Sequence, residues 1–331
     1  MRAQFWTASD DGSSWYRATQ PAAALGWLGH DAAYGEMLTP YGERADVIVG
    51  SRIAQPAAVD KWLGLARGDE GRPKLVLDLD DNYFQVEPRN KKAFEFWSRP
   101  DIRRGLNQSA RYADLITCAS TGIAESVDEF TGMGEKTRVI PNGLHAMYLG
   151  IQREYSDDRP VVIGWSGTAA TAHDFYIVDK QIMRALSTLN VGAAFIGLPD
   201  VLGPRGKNVA RTEWVSPNER YLDAVRNFDI WLAPYQSNPF TDAKFPTKAL
   251  EAGMLGIPLI ASDIRPYREW ITHGVNGYLV PADQPHLWGR YIKTLVENPA
   301  LRRKMGEAAR SRASRNILQE VGRQWESVLF S

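Results

Sequence analysis

The stretch KFPTKALEAGMLGIPLIASD, residues 244–263, decides the fold of this chain. Its first half predicts a helix that opens near Pro246 and ends near Gly256, because proline is favoured in a first helical turn and glycine just beyond a last one. After Pro258, the run LIAS predicts a buried strand. A helix that leads into a buried strand is the repeating unit of an α/β protein with a parallel sheet.

Short apolar runs recur along the whole chain and alternate with helical stretches. The runs are continuous, which is typical of strands buried on both faces of a parallel sheet. Strands are predicted at residues 4–8, 47–50, 75–79, 115–119, 139–140, 161–165, 193–196, 230–233, 259–261 and 277–279. Helices are predicted at residues 19–28, 110–112, 177–189, 219–227 and 287–297, with an amphipathic helix at 316–330. This order predicts the α/β class with doubly wound sheets.

The strand–helix series occurs twice, which suits a chain of 331 residues because single cores rarely grow to that length. The charged, turn-rich stretch REYSDDRP, residues 153–160, marks the break. We therefore expect two Rossmann-like domains, 1–153 and 154–313, that face a central cleft, followed by a C-terminal helix in 314–331. Open sheets of this class bind ligands beyond the carboxyl ends of their strands, so those loops are the candidate sites.

The composition excludes several classes of protein. Lys plus Arg and Asp plus Glu both number 39, so there is no bulk positive charge of the kind that nucleic-acid-binding proteins use. The one cysteine, Cys118, excludes an internal disulfide and a cysteine-rich zinc site, and its apolar neighbours predict a buried packing residue. No apolar run is long enough to cross a membrane and no signal peptide is recognisable, so we expect a cytoplasmic protein.

In the second half, a loop of small and hydroxyl residues follows the run VVIGW. Ser166, Gly167 and Thr168 let the backbone approach a ligand, and a diphosphate is the natural one. The alternative is an ordinary capped turn. His173 lies in the same loop and either serves the cleft or pairs structurally with Asp174.

In the first half, two strand ends carry polar residues. Gly12 and Ser13 follow the first strand, and Arg17 lies one turn into the next helix, where a guanidinium is suited to bidentate phosphate binding. The alternative for Arg17 is a solvent-exposed side chain. Asp80 and Asp81, at the strand end within the run LDLDDNYF, predict binding of an acceptor hydroxyl or proton transfer; the alternative is a helix cap or a salt bridge.

Lysines flank the start of the helix in the opening stretch. Lys244 and Lys248 oppose the helix macrodipole there, at a cost of about 0.3–1 kcal/mol each. A bound anion reverses that cost, so the helix start near Thr247 predicts a phosphate site. The alternative explanation is capping and solubility.

The stretch ALEAGMLGIPLIASDIRPYREWITHGVNGYLV, residues 249–280, resembles the signature of retaining, nucleotide-sugar-dependent glycosyltransferases of family 4, which have the GT-B fold. Weaker similarities extend over most of the chain, in LDLDDNYF, RVIPNG, IGWSGT with HDF, and DIWLAP. The resemblance implies that Glu251, the second of two family glutamates, binds the donor ribose. The first glutamate falls on Ala243, so we expect Asp242 to replace it, and Lys244 and Lys248 to replace family cations that are missing after strand 161–165.

Combined with the loops above, the resemblance yields a set of candidate site residues. The catalytic candidates are Asp80, Asp81, His173 and Asp242. The donor-binding candidates are Gly12, Ser13, Arg17, Ser166, Gly167, Thr168, Lys244, Phe245, Thr247, Lys248 and Glu251.

The resemblance implies transfer of a sugar from a nucleotide diphosphate sugar to an acceptor hydroxyl, with retention and without a metal or another cofactor. It places the donor on 154–313 and the acceptor on 1–153, with the C-terminal helix crossing back to 1–153. The acceptor stays open between a glycan, a protein and a modified DNA base, as in phage-encoded enzymes, and so does the oligomeric state. The alternative function is a non-catalytic protein that binds a nucleotide sugar or a glycan.

Overall fold

The computed structural model describes residues 1–9, 11–40, 42–68, 71–151, 159–168, 171–215 and 218–331. These residues form two compact units. Unit 1 comprises Met1–His145, Asp242–Phe245 and Asn316–Ser331, and unit 2 comprises Ala146–Thr241 and Pro246–Arg315. The predicted domain boundary between residues 153 and 154 lies outside the described residues.

Unit 1 contains a six-stranded parallel sheet with the strand order β2-β1-β3-β4-β5-β6. Its strands are β1 (Arg2–Trp6), β2 (Asp31–Gly35), β3 (Val47–Ser51), β4 (Lys74–Leu79), β5 (Leu115–Cys118) and β6 (Thr137–Val139). Its helices are Gly12–Ser14, the π-helix Trp15–Thr19, Gln20–Trp27, Pro56–Ala66, Lys91–Trp97, Pro100–Tyr112, Thr121–Thr131 and Leu318–Leu329.

Unit 2 contains a second six-stranded parallel sheet, with the order β12-β11-β10-β7-β8-β9. Its strands are β7 (Val161–Ser166), β8 (Val191–Ile196), β9 (Val209–Thr212), β10 (Ile230–Ala233), β11 (Leu259–Ser262) and β12 (Tyr278–Val280). Its helices are Tyr176–Thr188, Asn218–Val225, Thr247–Met254, Arg265–Arg268, His286–Val296 and Pro299–Ala313, and the short helix Pro239–Asp242 ends where the 242–245 segment of unit 1 begins. The predicted fold class, α/β with two doubly wound parallel sheets, is confirmed.

The ten predicted strands are all present, and two further strands were missed. Both missed strands, β2 and β9, lie at an edge of their sheet. Their sequences, DAAYG and VART, are short and partly polar, and none of their residues is buried. Edge strands lack the continuous apolar run that marks a buried strand, so the pattern that identifies the others does not reveal them.

Strand order locates the point in each sheet where a ligand is expected. The chain runs outward in both directions from β1 in unit 1 and from β7 in unit 2, so the order reverses beside those strands. In sheets of this class, the loops on either side of such a reversal diverge and leave a crevice at the carboxyl ends of the strands; here they are the loops after β1 and β3 in unit 1 and after β7 and β10 in unit 2. These loops are the ones that hold most of the candidate residues.

The Leu318–Leu329 helix completes the core of unit 1. Its residues Val321, Trp325 and Leu329 are buried against the β1, β3 and β4 side chains. Trp325 meets Phe5 of β1 edge to face, with ring centroids 5.7 Å apart. The amphipathic pattern of the chain's last segment therefore reflects packing of one face of a helix against a sheet. Cys118 is fully buried, as predicted, and burial raises the pKa of its thiol.

Two helical glycines of unit 1 give a matched test of this packing. At Gly105 a Cβ would lie 2.1 Å from the carbonyl oxygen of Ala54, whereas at Gly64 it would meet no atom within 4 Å. We expect Gly105→Ala to lower the free energy of unfolding by about 1–3 kcal/mol, because backbone atoms cannot yield cheaply. Gly64→Ala should raise it by about 0.5–1 kcal/mol through helix propensity. Urea unfolding measures both, and equal stability of the two variants would contradict the packing described.

Candidate functional site

Glu251, the glutamate that was predicted to bind the nucleotide, lies in a buried hydrogen-bond network of unit 2. Glu251 lies in the second turn of the Thr247–Met254 helix and is 4% exposed. Its Oε2 accepts a hydrogen bond from the Tyr221 hydroxyl at 3.2 Å. The same hydroxyl lies 2.9 Å from Oγ of Ser166, the last residue of β7. The network thus joins the loops after β7 and β10, where the strand order reverses.

The local sequence explains why Glu251 points to this position. The helix begins after Pro246, and its residues 249–254 are all buried. Gly253 permits close approach of the Pro299–Ala313 helix, because a Cβ there would lie 2.7 Å from the carbonyl oxygen of Ala309. Gly256 ends the helix with φ of +66°, a conformation that side chains disfavour. Close packing on one side fixes the rotation of the helix about its axis, and this rotation determines the direction of the Glu251 side chain.

The cation at the helix start is held by an aromatic side chain. Lys248 donates to the Tyr235 hydroxyl at 2.9 Å, and its ammonium lies 5.0 Å from the centre of the Tyr235 ring. Tyr235 is anchored in turn, since its N–H donates to Ser262 Oγ at 2.8 Å. Pro246 precedes the first turn of this helix, and its side chain makes no capping hydrogen bond. This residue therefore does not support the alternative of an ordinary capped helix start. Lys248 thus remains at the helix N-terminus that was predicted to bind phosphate.

The glycine of the loop after β7 is required by its surroundings. A Cβ at Gly167 would lie 2.6 Å from Thr171 Oγ1 and 2.7 Å from the Trp165 ring. The N–H of Gly167 donates to Ile196 O at 3.0 Å, which ties the loop to β8. Thr168 is exposed, whereas Ser166 is fully buried and offers its hydroxyl to Tyr221. Of the three candidate residues 166–168, Thr168 is therefore the one whose side chain is exposed to a ligand.

His173 lies in the turn Ala172–Phe175, which leads into the Tyr176–Thr188 helix. Its Nε2 is 3.6 Å from Oδ1 of Asp174, and Asp174 is 1% exposed. The imidazole itself is 24% exposed. The pairing with Asp174 that the sequence left open is present, and the imidazole keeps a solvent-facing edge.

Besides Tyr235, two aromatic residues of the unit 2 site were not predicted. Tyr221 is buried and bonds Glu251, and Trp214 lies against its ring with centroids 5.1 Å apart. Trp214 is 42% exposed and also borders Gly197, where a Cβ would lie 3.1 Å from the indole. The exposed indole thus lies against the tyrosine that bonds the buried glutamate, and it offers a flat apolar surface. Nothing in the sequence distinguishes these two aromatics from core residues.

In unit 1, the predicted acid pair lies in a cluster of charges at the ends of β1, β3 and β4. Asp81 forms a salt bridge with Lys244, and Tyr83 donates its hydroxyl proton to Asp80 at 2.5 Å. Arg52, which follows β3, lies 4.0 Å from Asp80 through its Nε. It also donates to Asp11 Oδ2 at 3.3 Å. Arg52 was not predicted from the sequence. Among the non-glycine residues that the structure describes, it alone has a positive φ, at 54°.

The pKa values of Asp80 and Asp81 are shifted in opposite directions. Burial alone would raise the pKa of Asp80, but Arg52, hydrogen bonds from Ser13 and Tyr83, and Lys244 together hold it below its usual value. For Asp81, burial outweighs the attraction of Lys244 and raises the pKa. Environments that separate the pKa values of neighbouring acids are typical of acid–base sites. Asp81 is the member of the pair that accepts a proton more readily.

Arg17 does not lie where a phosphate ligand must lie. Its side chain is 1% exposed and pairs with Asp78 through Nη2 at 2.7 Å and Nε at 3.1 Å. Its Nη1 donates to Ile140 O and to Asn142 Oδ1, at 2.5 and 3.2 Å. The guanidinium donors are thus taken up inside unit 1, and this placement argues against both the phosphate-binding role and the solvent-exposed alternative. Gly12 and Ser13 do lie near the surface, in the short helix Gly12–Ser14 that Asp11 caps.

The segment Asp242–Phe245 packs within unit 1. Ser120 donates its hydroxyl proton to the carbonyl oxygen of Ala243, and a Cβ at Gly122 would lie 2.7 Å from Ala243 Cα. Ala243 is 5% exposed, and Asp242 is partly buried. Lys244, which was expected to bind phosphate, is paired with Asp81. The structure therefore brings Ser13, Asp80, Asp81 and Lys244 together in unit 1, and Ser166, Gly167, Lys248 and Glu251 together in unit 2.

The part of the chain that the structure describes contains no group of three or more His, Cys, Asp or Glu placed to hold a metal ion. None of the helices in this part of the chain is long and apolar enough to cross a membrane.

Residues 206–312 match the family model described as glycosyl transferases group 1. The match includes the Thr247–Met254 helix with Glu251 and Lys248. Part of unit 2 thus matches a glycosyltransferase model, which supports the glycosyltransferase class that the sequence suggested.

Curated proteins similar to the chain carry related names. It is 33% identical over 238 residues to the D-rhamnosyltransferase WbpZ of Pseudomonas aeruginosa, covering 65% of this chain and 57% of that protein. It is 29% identical over 139 residues to the D-inositol 3-phosphate glycosyltransferase of Jonesia denitrificans, covering 41% of this chain and 32% of that protein. The chain spans between 12% and 57% of the length of the curated relatives that it matches.

Solved structures resemble the chain over nearly its whole length. Anabaena HepE, in a complex with UDP, has a TM-score of 0.71 and 16% identity, with all of both chains covered. An alpha-glucosyltransferase in complex with UDP and a 13-mer DNA containing a HMU base has a TM-score of 0.71 and 12% identity, with 100% and 99% of the two chains covered. At these identities the likeness shows the fold, and it confirms the GT-B class.

Proposed function

We propose that the protein transfers a glycosyl group from a nucleoside diphosphate sugar to an acceptor hydroxyl. The observation that carries the proposal is the buried glutamate of unit 2: Glu251 is held by Tyr221 at the reversal point of the sheet, inside the group 1 domain. A carboxylate there is suited to accept hydrogen bonds from the two hydroxyls of a ribose. Lys248 and the first turn of the Thr247–Met254 helix supply the positive end that a diphosphate needs.

The chemistry follows from these groups. The bond between the anomeric carbon and the diphosphate oxygen breaks, a bond to the acceptor oxygen forms, and the acceptor hydroxyl loses its proton. Negative charge grows on the leaving diphosphate, and Lys248 with the helix N-terminus stabilises it without reorganisation. We assign the acceptor to unit 1, where Asp81 is the carboxylate poised to take up the proton. Retention of configuration, as the resemblance to family 4 implies, and transfer without a metal belong to this proposal.

The presence of UDP in the HepE complex makes a uridine diphosphate sugar the first candidate donor. The acceptor remains a glycan, a protein or a modified DNA base. The replacement of the first family glutamate by Ala243 supports a second function, a non-catalytic protein that binds a nucleotide sugar. Turnover separates the two functions, because a binding protein holds its ligand without consuming it.

The test is a panel of UDP-, GDP-, ADP- and TDP-sugars, followed by thermal unfolding and, with glycan, protein and modified-DNA acceptors added in turn, by release of nucleoside diphosphate. A donor at 100 times its dissociation constant should add about 2.7 kcal/mol of stability. The expected result is stabilisation by one donor, release of its diphosphate, and a marked decrease of both in Glu251→Ala but not in Tyr278→Phe, a tyrosine of β12 outside the site. Stabilisation without release would favour the binding protein, and no stabilisation by any donor would overturn both functions.

A further inference from the structure

The hydroxyl of Tyr221 takes part in two hydrogen bonds, which packing of its ring in the core would not require. It is 4% exposed, and its hydroxyl lies between Ser166 Oγ at 2.9 Å and Glu251 Oε2 at 3.2 Å. Ser166 closes β7, Tyr221 lies in the Asn218–Val225 helix, and Glu251 lies in the Thr247–Met254 helix. One phenol therefore ties together three separate elements of unit 2.

The directions of these hydrogen bonds follow from the chemistry of the groups. An ionised carboxylate only accepts, so the tyrosine donates its proton to Glu251. Burial, with the charge of Glu251 added, raises the pKa of Tyr221 well above its usual value, so the phenol keeps that proton at any working pH. Because the phenol has donated its one proton, it must accept from Ser166. The result is a relay with one direction, from Ser166 to Tyr221 to Glu251.

The ring of Tyr221 is fixed from the outside as well. The Trp214 indole lies against it at 5.1 Å with an interplanar angle of 32°. Leu222 and Val225, on the same helix, are 1% and 0% exposed, so the helix is anchored in the core. The phenol cannot follow the carboxylate if that group rotates, and so it imposes its own position on the carboxylate.

We propose that Tyr221 is a positioning residue that orients the carboxylate of Glu251 for the ribose hydroxyls of the donor, with Ser166 fixing Tyr221 in turn. This inference rests on the proposed function, in which Glu251 binds the ribose. A terminal carboxylate torsion is broad, so a carboxylate without a fixed partner samples many orientations. Holding one oxygen in place prepares the group for two adjacent hydroxyls before the ligand arrives.

The experiment compares UDP with 2′,3′-dideoxy-UDP by calorimetric titration, using GDP or ADP and their dideoxy forms if the donor panel selects another base. We expect Tyr221→Phe to weaken UDP binding about 3- to 10-fold, the worth of one lost hydrogen bond. Binding of the dideoxy nucleotide should be unchanged, because its ribose has no hydroxyls from which Glu251 could accept hydrogen bonds. Ser166→Ala should act in the same direction with a smaller effect, and Tyr278→Phe should change neither affinity.

Several outcomes decide between the explanations. Equal weakening of both nucleotides by Tyr221→Phe would mean a structural role only and would overturn the proposal. If Tyr221→Phe does not fold, Ser166→Ala carries the same test, since it removes the bond that holds the phenol. Weakening by Glu251→Ala with no effect of Tyr221→Phe or Ser166→Ala would reject the relay and leave the proposed function intact. If wild-type protein binds no nucleotide, the proposed function itself fails.

Discussion

Asp78→Ala is expected to lower the free energy of unfolding of unit 1 by about 3–5 kcal/mol, which is the usual cost of removing one partner from a buried ion pair. Arg17 and Asp78 are each 1% exposed and share two hydrogen bonds. Without Asp78, the guanidinium is left charged inside the protein, with only the neutral oxygens of Ile140 and Asn142 as hydrogen-bond acceptors among the contacts described above. Thr117, whose hydroxyl donates to Asp78 at 2.6 Å, loses its acceptor too.

The double variant Arg17→Met/Asp78→Leu is the matched control. Replacing both charges by apolar side chains removes the desolvation cost together with the attraction, so it should be much less destabilising than Asp78→Ala. Urea unfolding, followed by hydrogen exchange in peptides from β4 and β5, reports on unit 1. If Asp78→Ala is as stable as wild-type protein, the Arg17–Asp78 pair does not stabilise unit 1, which would contradict this prediction.

Glu251→Ala is expected to raise the dissociation constant of the nucleotide about 10- to 150-fold, because hydrogen bonds to a charged group contribute about 1.5–3 kcal/mol. Glu251 is buried and lies at the reversal point of the unit 2 sheet, so we do not expect water to replace the hydrogen bonds that the ribose loses in the variant. Calorimetric titration with the donor chosen by the panel measures the effect. A nucleotide that lacks the ribose hydroxyls should bind the variant and the wild-type protein equally.

Glu251→Gln separates charge from shape in this prediction. Glutamine keeps a carbonyl oxygen that can accept from Tyr221 or from the ribose, so a smaller loss of affinity is expected. The unfolding transition of each variant must be measured beside its affinity, because Glu251→Ala also leaves the buried Tyr221 hydroxyl without this acceptor. Unchanged affinity in a folded Glu251→Ala variant would remove Glu251 from the ribose site.

The buried strands could be predicted from the sequence because continuous apolar runs are a direct consequence of burial on both faces. The same logic gave the helix start at Pro246 and its end at Gly256, where backbone geometry restricts the residue type. The ribose-binding role of Glu251 was inferred from the resemblance of a contiguous helix, turn and strand to a family signature, and it stays a prediction. Where the chemistry follows from local backbone geometry, one sequence is sufficient.

Side-chain partners that are distant in sequence could not be predicted in this way. Arg17 and Asp78 are 61 residues apart, and nothing in the sequence around Arg17 shows that its guanidinium turns inward. Lys244 pairs with Asp81 across 163 residues, so its role at a helix start was an incomplete description. Tyr221 looks like one more core aromatic until Glu251 and Ser166 are placed beside it. Only the packed fold shows which charge meets which.

The most direct test of this account is a crystal structure of the protein with UDP, or with the nucleotide that the donor panel selects. The account predicts that the ribose hydroxyls lie about 2.5–3.0 Å from the Glu251 carboxylate, with the diphosphate at the first turn of the Thr247–Met254 helix beside Lys248. A nucleotide bound elsewhere, with the Glu251 carboxylate in contact with protein groups alone, would contradict it.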